Sequence, residues 1–207
     1  MTLRVLLVLV VLALAGAAKA DTLRGAELVE ALRGGGYNIY FRHAETNWSQ
    51  SDRLTATGEW TSCDPSRMRQ LADKGHETAQ RIGEAFRRLA IPVGAVFSSE
   101  YCRSYETARS MALGPVTKSR EIMNMRAADY LGGRDAVTRR AKAMLAIPPA
   151  EGTNAVLVAH GNLMRAATGA YTGEAGAVVL RPDGESFVLV AEVLPADWAE
   201  LAETHAE

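Results

Sequence analysis

The chain has 207 residues, a length that suits one domain of ordinary size better than two. Its 48% hydrophobic and 23% charged residues are the proportions of a packed core, which excludes a disordered, collagen-like or multi-span membrane chain. With 23 Lys and Arg against 24 Asp and Glu the formal charge is -1, so the basic excess that accompanies non-specific nucleic-acid binding is absent.

Residues 1–20 open with Arg4, continue as an apolar run over 5–15 and end in Ala18-Lys19-Ala20, the small-x-small pattern of a secretory signal cleaved after Ala20. The run is shorter than the ~20 residues that span a bilayer, and Lys19 interrupts it, so no stable membrane insertion is expected after cleavage. The mature domain then covers 21–207 and is expected in the periplasm or outside the cell. Export carries the only two cysteines, Cys63 and Cys102, into an oxidising compartment, where a Cys63–Cys102 disulfide is expected and two separately buried thiols are the alternative. Neither cysteine sits at zinc-ligand spacing, and no metal site is expected.

Along the mature chain, Leu23, Leu28 and Leu32 predict a helix over 21–32 that stops at Gly34-Gly35-Gly36. A strand over 37–41 follows, then a polar stretch over 46–68 carrying Trp48, Trp60, Gly58 and Pro65, which predicts a long ordered loop able to line a site. Ala79, Ile82, Ala85, Phe86 and Leu89 predict an amphipathic helix over 75–89, followed by a strand over 93–98 and a helix over 103–111. Residues 114–133 are irregular, 135–145 helical, 155–159 a buried strand and 163–168 its following helix. Strands over 177–180 and 187–193, separated by the turn sequence Arg181-Pro182-Asp183-Gly184, and a helix over 195–204 close the chain. The alternation predicts an α/β three-layer sandwich, a mainly parallel central sheet flanked by helices.

Three of the predicted strands end in unusual polar residues. Phe41 is followed by Arg42-His43-Ala44-Glu45-Thr46, Phe97 by Ser98-Ser99 and then Arg103, and Ala159 by His160-Gly161-Asn162. The carboxyl ends of parallel strands line one crevice, so Arg42, His43, Arg103 and His160 are expected to converge. Two histidines and two arginines without a cysteine pair suit an oxyanion, because guanidinium groups present forked donors matched to phosphate. Gly161, just ahead of a helix, adds backbone N–H groups to the same pocket.

Arg42-His43-Ala44-Glu45-Thr46 resembles the Arg-His-Gly signature of the histidine phosphatase, or phosphoglycerate mutase-like, superfamily. Leu71-Ala72-Asp73-Lys74-Gly75 resembles the block ahead of that family's first long helix, residues 98–108 its Ser-Ser-x-x-x-Arg-x-x-x-Thr-Ala block, and residues 158–162 its second-histidine motif. All four come in the family's order. The resemblance implies a phosphoglycerate mutase-like fold in which His43 takes the phosphoryl group as a phosphohistidine while Arg42, Arg103 and a protonated His160 clamp its oxygens. No cofactor is implied. The family's proton donor is a carboxylic acid from the segment after the second helix, which makes Glu121 the first candidate, Asp129 the second and Glu45 a lesser one. Gly161 excludes the branch whose acid follows the second histidine directly.

Ser49 stands after Trp48 where the mutases carry Asn, so mutase contacts do not transfer and a hydrolase is favoured. The expected activity is a metal-independent phosphomonoester hydrolase acting on a small phosphorylated substrate, with an envelope phosphoester as one guess from an exported relative. The alternative is a phosphate-binding module of the same fold without turnover. Arg120, Arg126, Arg134, Arg139 and Arg140 are expected to form a solvated face, one or two of them able to meet a second anionic group. His76 is expected to be a solvated first-turn residue and His205 a tail residue, and Trp48 and Trp60 either wall the pocket or plug the loop.

Overall fold

The computed structural model describes residues 22–206, so the expected signal over 1–20 lies outside the described residues. Six strands, β1 (Asn38–Arg42), β2 (Val93–Ser99), β3 (Val116–Ser119), β4 (Asn154–Ala159), β5 (Ala177–Asp183) and β6 (Ser186–Val193), form one sheet in the order β3-β2-β4-β1-β5-β6. The first four in this order are parallel, and β5 and β6 join antiparallel at one side. Six helices flank it: α1 (Gly25–Gly34), α2 (Asp73–Arg88), α3 (Cys102–Met111), α4 (Arg134–Leu145), α5 (Gly161–Thr168) and α6 (Pro195–His205). None is long and apolar enough to cross a membrane among the described residues.

Strand side chains alternate between two cores, as a two-residue repeat requires. Ile39, Phe41, Val156 and Val158 face the layer of α1, α2, α3 and α6, where Phe86 and Trp198 lie 4.7 Å apart centroid to centroid. Tyr40, Leu157 and Ala159 face α4 and α5. Every residue of β4 is buried because both its faces and both its edges are covered, which explains its continuous apolar run. Gly35 ends α1 with φ 78°, and a Cβ there would stand 2.5 Å from the Thr153 amide nitrogen, so the predicted glycine stop is enforced twice.

Two segments differ from expectation. Residues 116–119, within the stretch read as irregular, form edge strand β3, whose polar Thr117 and Lys118 face solvent and leave no apolar pattern to detect. The stretch 181–183, read as a turn, continues β5 beyond the end of its pairing with β1, and the reversal occurs at Gly184 instead. Pro182 is tolerated there because only β6 pairs with that part of the strand.

The predicted long loop is anchored rather than loose. Trp60, in a short 3-10 turn (Glu59–Thr61), is fully buried with Met68, Tyr101, Met123 and Ala127 and donates its indole N–H to Glu100 Oε2 at 2.7 Å. Trp60 is therefore a plug of the loop, whereas Trp48 is 67% exposed. Cys63 and Cys102 are bridged, with 39 residues of sequence separation, which pins the loop to the first residue of α3 beside Arg103. Replacing both cysteines by serine is expected to lower stability by about 3–4 kcal/mol, since the bridge shortens the loops open to the unfolded chain. Urea unfolding of the oxidised parent and the double variant measures this, and equal midpoints would show that the bridge constrains nothing.

Candidate active site

The carboxyl ends of β1, β4 and β2 lie side by side, and Arg42, His43, His160 and Arg103 come together there as expected. His43 is fastened by its backbone: its N–H donates to Ala159 O at 2.9 Å and its carbonyl accepts from Ala175 N at 3.0 Å. Thr107, four residues after Arg103, donates its hydroxyl to the Arg103 carbonyl at 2.7 Å and accepts from Ala44 N–H at 3.1 Å. The two motifs are thus locked to each other. Gly75 of α2 packs on the same segment, where a Cβ would sit 2.3 Å from the Glu45 carbonyl oxygen.

The His43 ring is buried, and its Nδ1 lies 2.9 Å from the Ala44 carbonyl oxygen. A carbonyl can only accept, so Nδ1 carries the hydrogen and Nε2 keeps its lone pair. Burial, then the charge of Arg103, holds the His43 pKa well below the ordinary histidine value, which keeps the ring neutral at pH 7. His160 packs edge-on against it with centroids 5.6 Å apart, shares a 2.9 Å hydrogen bond between Nε2 and Ser99 Oγ, and is bracketed by the Tyr40 hydroxyl, which donates to its carbonyl at 2.9 Å. Burial, then the charge of Arg103, also holds the His160 pKa well below the ordinary histidine value, which disfavours the protonated form that the resemblance implies. Protonating both rings would add two buried cations beside Arg103, whose own charge already engages the Asp52 carboxylate.

Arg103 is 1% exposed and makes a two-pronged ion pair with Asp52, at 2.9 and 3.0 Å. Arg42 donates to the Tyr171 hydroxyl at 3.1 Å and to the Thr172 carbonyl at 3.2 Å. Gly161 has a clear steric reason: a Cβ would stand 2.8 Å from the Tyr171 ring and 3.0 Å from Arg42 Cδ. It therefore lets Arg42 reach across the first turn of α5, in addition to supplying an N–H at that helix start. These groups, with Trp48, Arg69, Asn124, Arg126 and Asn162, line a cavity of about 250 Å³.

The structure does not bring Glu121 to this cavity. Its carboxylate is half-exposed and faces Arg140 Nε at 3.7 Å, because the neighbouring Ile122 and Met123 take the buried side of the turn. Asp129 is exposed and not among the lining residues. Glu45 turns to α2, accepting from the Thr78 hydroxyl at 3.3 Å, and lines a different hollow with Lys74 and Arg81. Asp52 is the only carboxylate among the cavity's lining residues, and sequence reasoning missed it together with Arg69, Asn124 and Tyr171. Arg126, expected on a solvated face, is exposed but lines the cavity. The signal available for Asp52 and Trp48 was the polar loop read as site-lining.

A larger cleft of about 580 Å³ between α1 and α6 sets three carboxylates, Glu192, Asp197 and Glu200, against one guanidinium, Arg24, and one histidine, His205, a charge balance that does not favour an oxyanion. Among the described residues no group of three or more His, Cys, Asp or Glu is placed to hold a metal ion.

Residues 39–146 match the family model of the histidine phosphatase superfamily (branch 1), a span that holds the first motif and Arg103 and ends before His160. No curated protein matches. Among solved structures, "Mycobacterial hydrolase 1" superposes with a TM-score of 0.52 at 18% identity over 76% of this chain and 99% of its own. A phosphoserine phosphatase mutant from Entamoeba histolytica in complex with phosphoserine gives a TM-score of 0.52 at 13% identity, over 78% and 98%. The native mycobacterial glucosyl-3-phosphoglycerate phosphatase gives a TM-score of 0.52 at 18% identity, over 75% and 96%. At such identities the likeness bears on the fold, and it agrees with the α/β sandwich around the site. With the family model covering more than half of the sequence, the chain belongs to the histidine phosphatase superfamily.

Proposed function

We propose that the protein is a phosphomonoester hydrolase that works through a phosphohistidine on His43. The observation that carries this reading is a neutral imidazole whose Nδ1 is tied to a carbonyl and whose Nε2 is left with a lone pair, set among four guanidinium groups in one cavity. Neutral imidazole is a good nucleophile, and fixed cations stabilise the charge that spreads over the oxygens of a transferring phosphoryl group.

In the first step Nε2 bonds to phosphorus and the ester P–O bond breaks. The oxygen of the departing alcohol takes a proton from Asp52. In the second step water attacks the phosphohistidine, the N–P bond breaks, and the Asp52 carboxylate takes the water's proton as inorganic phosphate forms. Arg42, Arg103 and the Gly161 N–H hold the phosphoryl oxygens throughout. Arg103 has to exchange a partner for this: the phosphoryl group competes with Asp52 for its forked donors. Asp52, once displaced from Arg103, is free to take the proton that a phosphomonoester monoanion carries in and to pass it to the departing oxygen.

Since side chains supply both nucleophile and charge stabilisation, turnover is expected to persist with excess chelator. The reading of residues 1–20 as an export signal supports an enzyme that acts in the periplasm or outside the cell, where an envelope phosphoester is a candidate substrate to be tested by screening. Quench in alkaline detergent after brief mixing with ³²P-labelled aryl phosphate tests the central step. Label retained on protein at alkaline pH and released by acid is the expected result; saturable binding of phosphoesters with neither label nor turnover would instead identify a binding module.

A further inference from the structure

The start of α3 holds the polar loop by two ties that stand on neighbouring residues. Arg103 donates to both Asp52 oxygens, at 2.9 and 3.0 Å, and to the Arg69 carbonyl at 3.4 Å. Cys102, the residue before it, is bonded covalently to Cys63. The first tie is exchangeable, because a phosphoryl group in the cavity competes for the same guanidinium. Substrate leaves the second intact. A short run of backbone bonds joins Cys63 to Asp52: Arg67 N–H donates to Asp64 O at 3.0 Å, and Arg53 N–H to Arg67 O at 2.9 Å. Arg69 N–H closes the run on Asp52 Oδ1 at 3.1 Å. A covalent hold at Cys63 is in this way passed on to the carboxylate.

We infer that the Cys63–Cys102 bridge is a positioning element of the reaction: it keeps Asp52 at the departing oxygen while Arg103 holds the phosphoryl group instead, so full turnover needs the oxidised chain. Arg103 itself does not depend on the loop, since Thr107 fixes its carbonyl at 2.7 Å and its guanidinium lies 4.6 Å from the Tyr101 ring centroid. The buried Trp60, with its indole N–H on Glu100, keeps the loop packed when the bridge is open, so reduction loosens the Asp52 arm without unfolding the protein. Cys63 is exposed and Cys102 buried, so a dithiol reaches the bridge of the folded protein from the Cys63 side. Two electrons and two protons pass from the dithiol, which closes to its own disulfide as the Cys63–Cys102 S–S bond opens to two thiols.

The inference rests on the reading of Asp52 as proton donor, so the test has one arm with chemistry and one without. In the first, kcat is measured for an alkyl and a nitrophenyl phosphate on the disulfide-bonded protein, after dithiothreitol, and after reoxidation. Reduction is expected to lower the alkyl kcat about tenfold or more and the aryl kcat less than about threefold, with recovery on reoxidation. Cys63→Ser should show the same split without reductant and no further response to it. In the second arm, hydrogen exchange at the Arg53 and Arg69 amides is followed with and without tungstate. Tungstate should leave exchange unchanged in the oxidised chain and raise it about tenfold in the reduced one, where neither tie then holds the loop. Unchanged alkyl turnover after reduction, or equal losses for both esters, would overturn the positioning role and leave the phosphatase standing. Equal protection of the tungstate-bound loop in both redox states would overturn it as well. If the oxidised chain hydrolyses neither ester the phosphatase reading fails, and the hold of the bridge on Asp52 then stands or falls on the exchange arm.

Discussion

His43→Ala is expected to lower phosphomonoester turnover by about four orders of magnitude or more while the protein still folds and still binds an oxyanion such as tungstate. The ring presents a lone pair at Nε2, because Nδ1 is committed to the Ala44 carbonyl. His160 is not expected to substitute: its Nε2 is engaged by Ser99 Oγ at 2.9 Å, its Nδ1 is buried without a hydrogen-bond partner, and the two rings stand edge-on with centroids 5.6 Å apart. Oxyanion affinity should survive because Arg42 and Arg103 are positioned by partners other than His43, namely Tyr171, Thr172 and Asp52. The fold should survive because the His43 backbone, not its ring, makes the bonds to Ala159 and Ala175. The variant should therefore show tungstate binding by calorimetry, an unfolding midpoint near that of the parent, and no acid-labile phosphoprotein. Residual turnover above one part in a hundred with an intact fold would remove His43 as the nucleophile.

The elements that sequence periodicity reveals are those whose burial is one-sided or complete. The spacing in α2 and the apolar run of β4 state plainly which faces are covered. Strand β3 escapes because it is short, lies at the sheet's edge and keeps Thr117 and Lys118 in water, so neither alternation nor an apolar run is required of it. The same division applies to the site. Arg42, His43, Arg103, His160 and Gly161 lie at or just beyond the ends of β1, β2 and β4, where chain direction alone decides which crevice a residue enters. Asp52 and Arg69 depend on the path of a long loop. That path is set by the burial of Trp60, the Cys63–Cys102 bridge and the contact of Thr46 with Leu71, none of which has a local signature. Glu121 shows the opposite failure: its place after the second helix suggested the cavity, yet the turn that buries Ile122 and Met123 points its carboxylate to Arg140.

Asp52→Asn is expected to slow alkyl phosphates by about two to four orders of magnitude and to slow nitrophenyl phosphate far less. An alkoxide cannot depart without a proton, whereas nitrophenolate is stable enough to leave as the anion, so the ratio of the two losses reports proton donation and not general damage. Asp52 has a second role that acts in another direction. It neutralises Arg103 when no phosphoryl group does, with side chains 4% and 1% exposed, and an asparagine there leaves a buried guanidinium without its counter-ion. Stability should therefore fall by about 3 kcal/mol or more, and inorganic phosphate, which restores the missing charge, should recover part of it. For the same reason KM for the aryl ester should fall, because the phosphoryl group no longer displaces a carboxylate from Arg103. A merely structural Asp52 predicts equal losses of kcat for alkyl and aryl esters, and that outcome would strip it of the donor role. Glu121→Gln supplies the contrast: with its carboxylate at Arg140 outside the cavity, both esters should turn over within twofold of the parent rate.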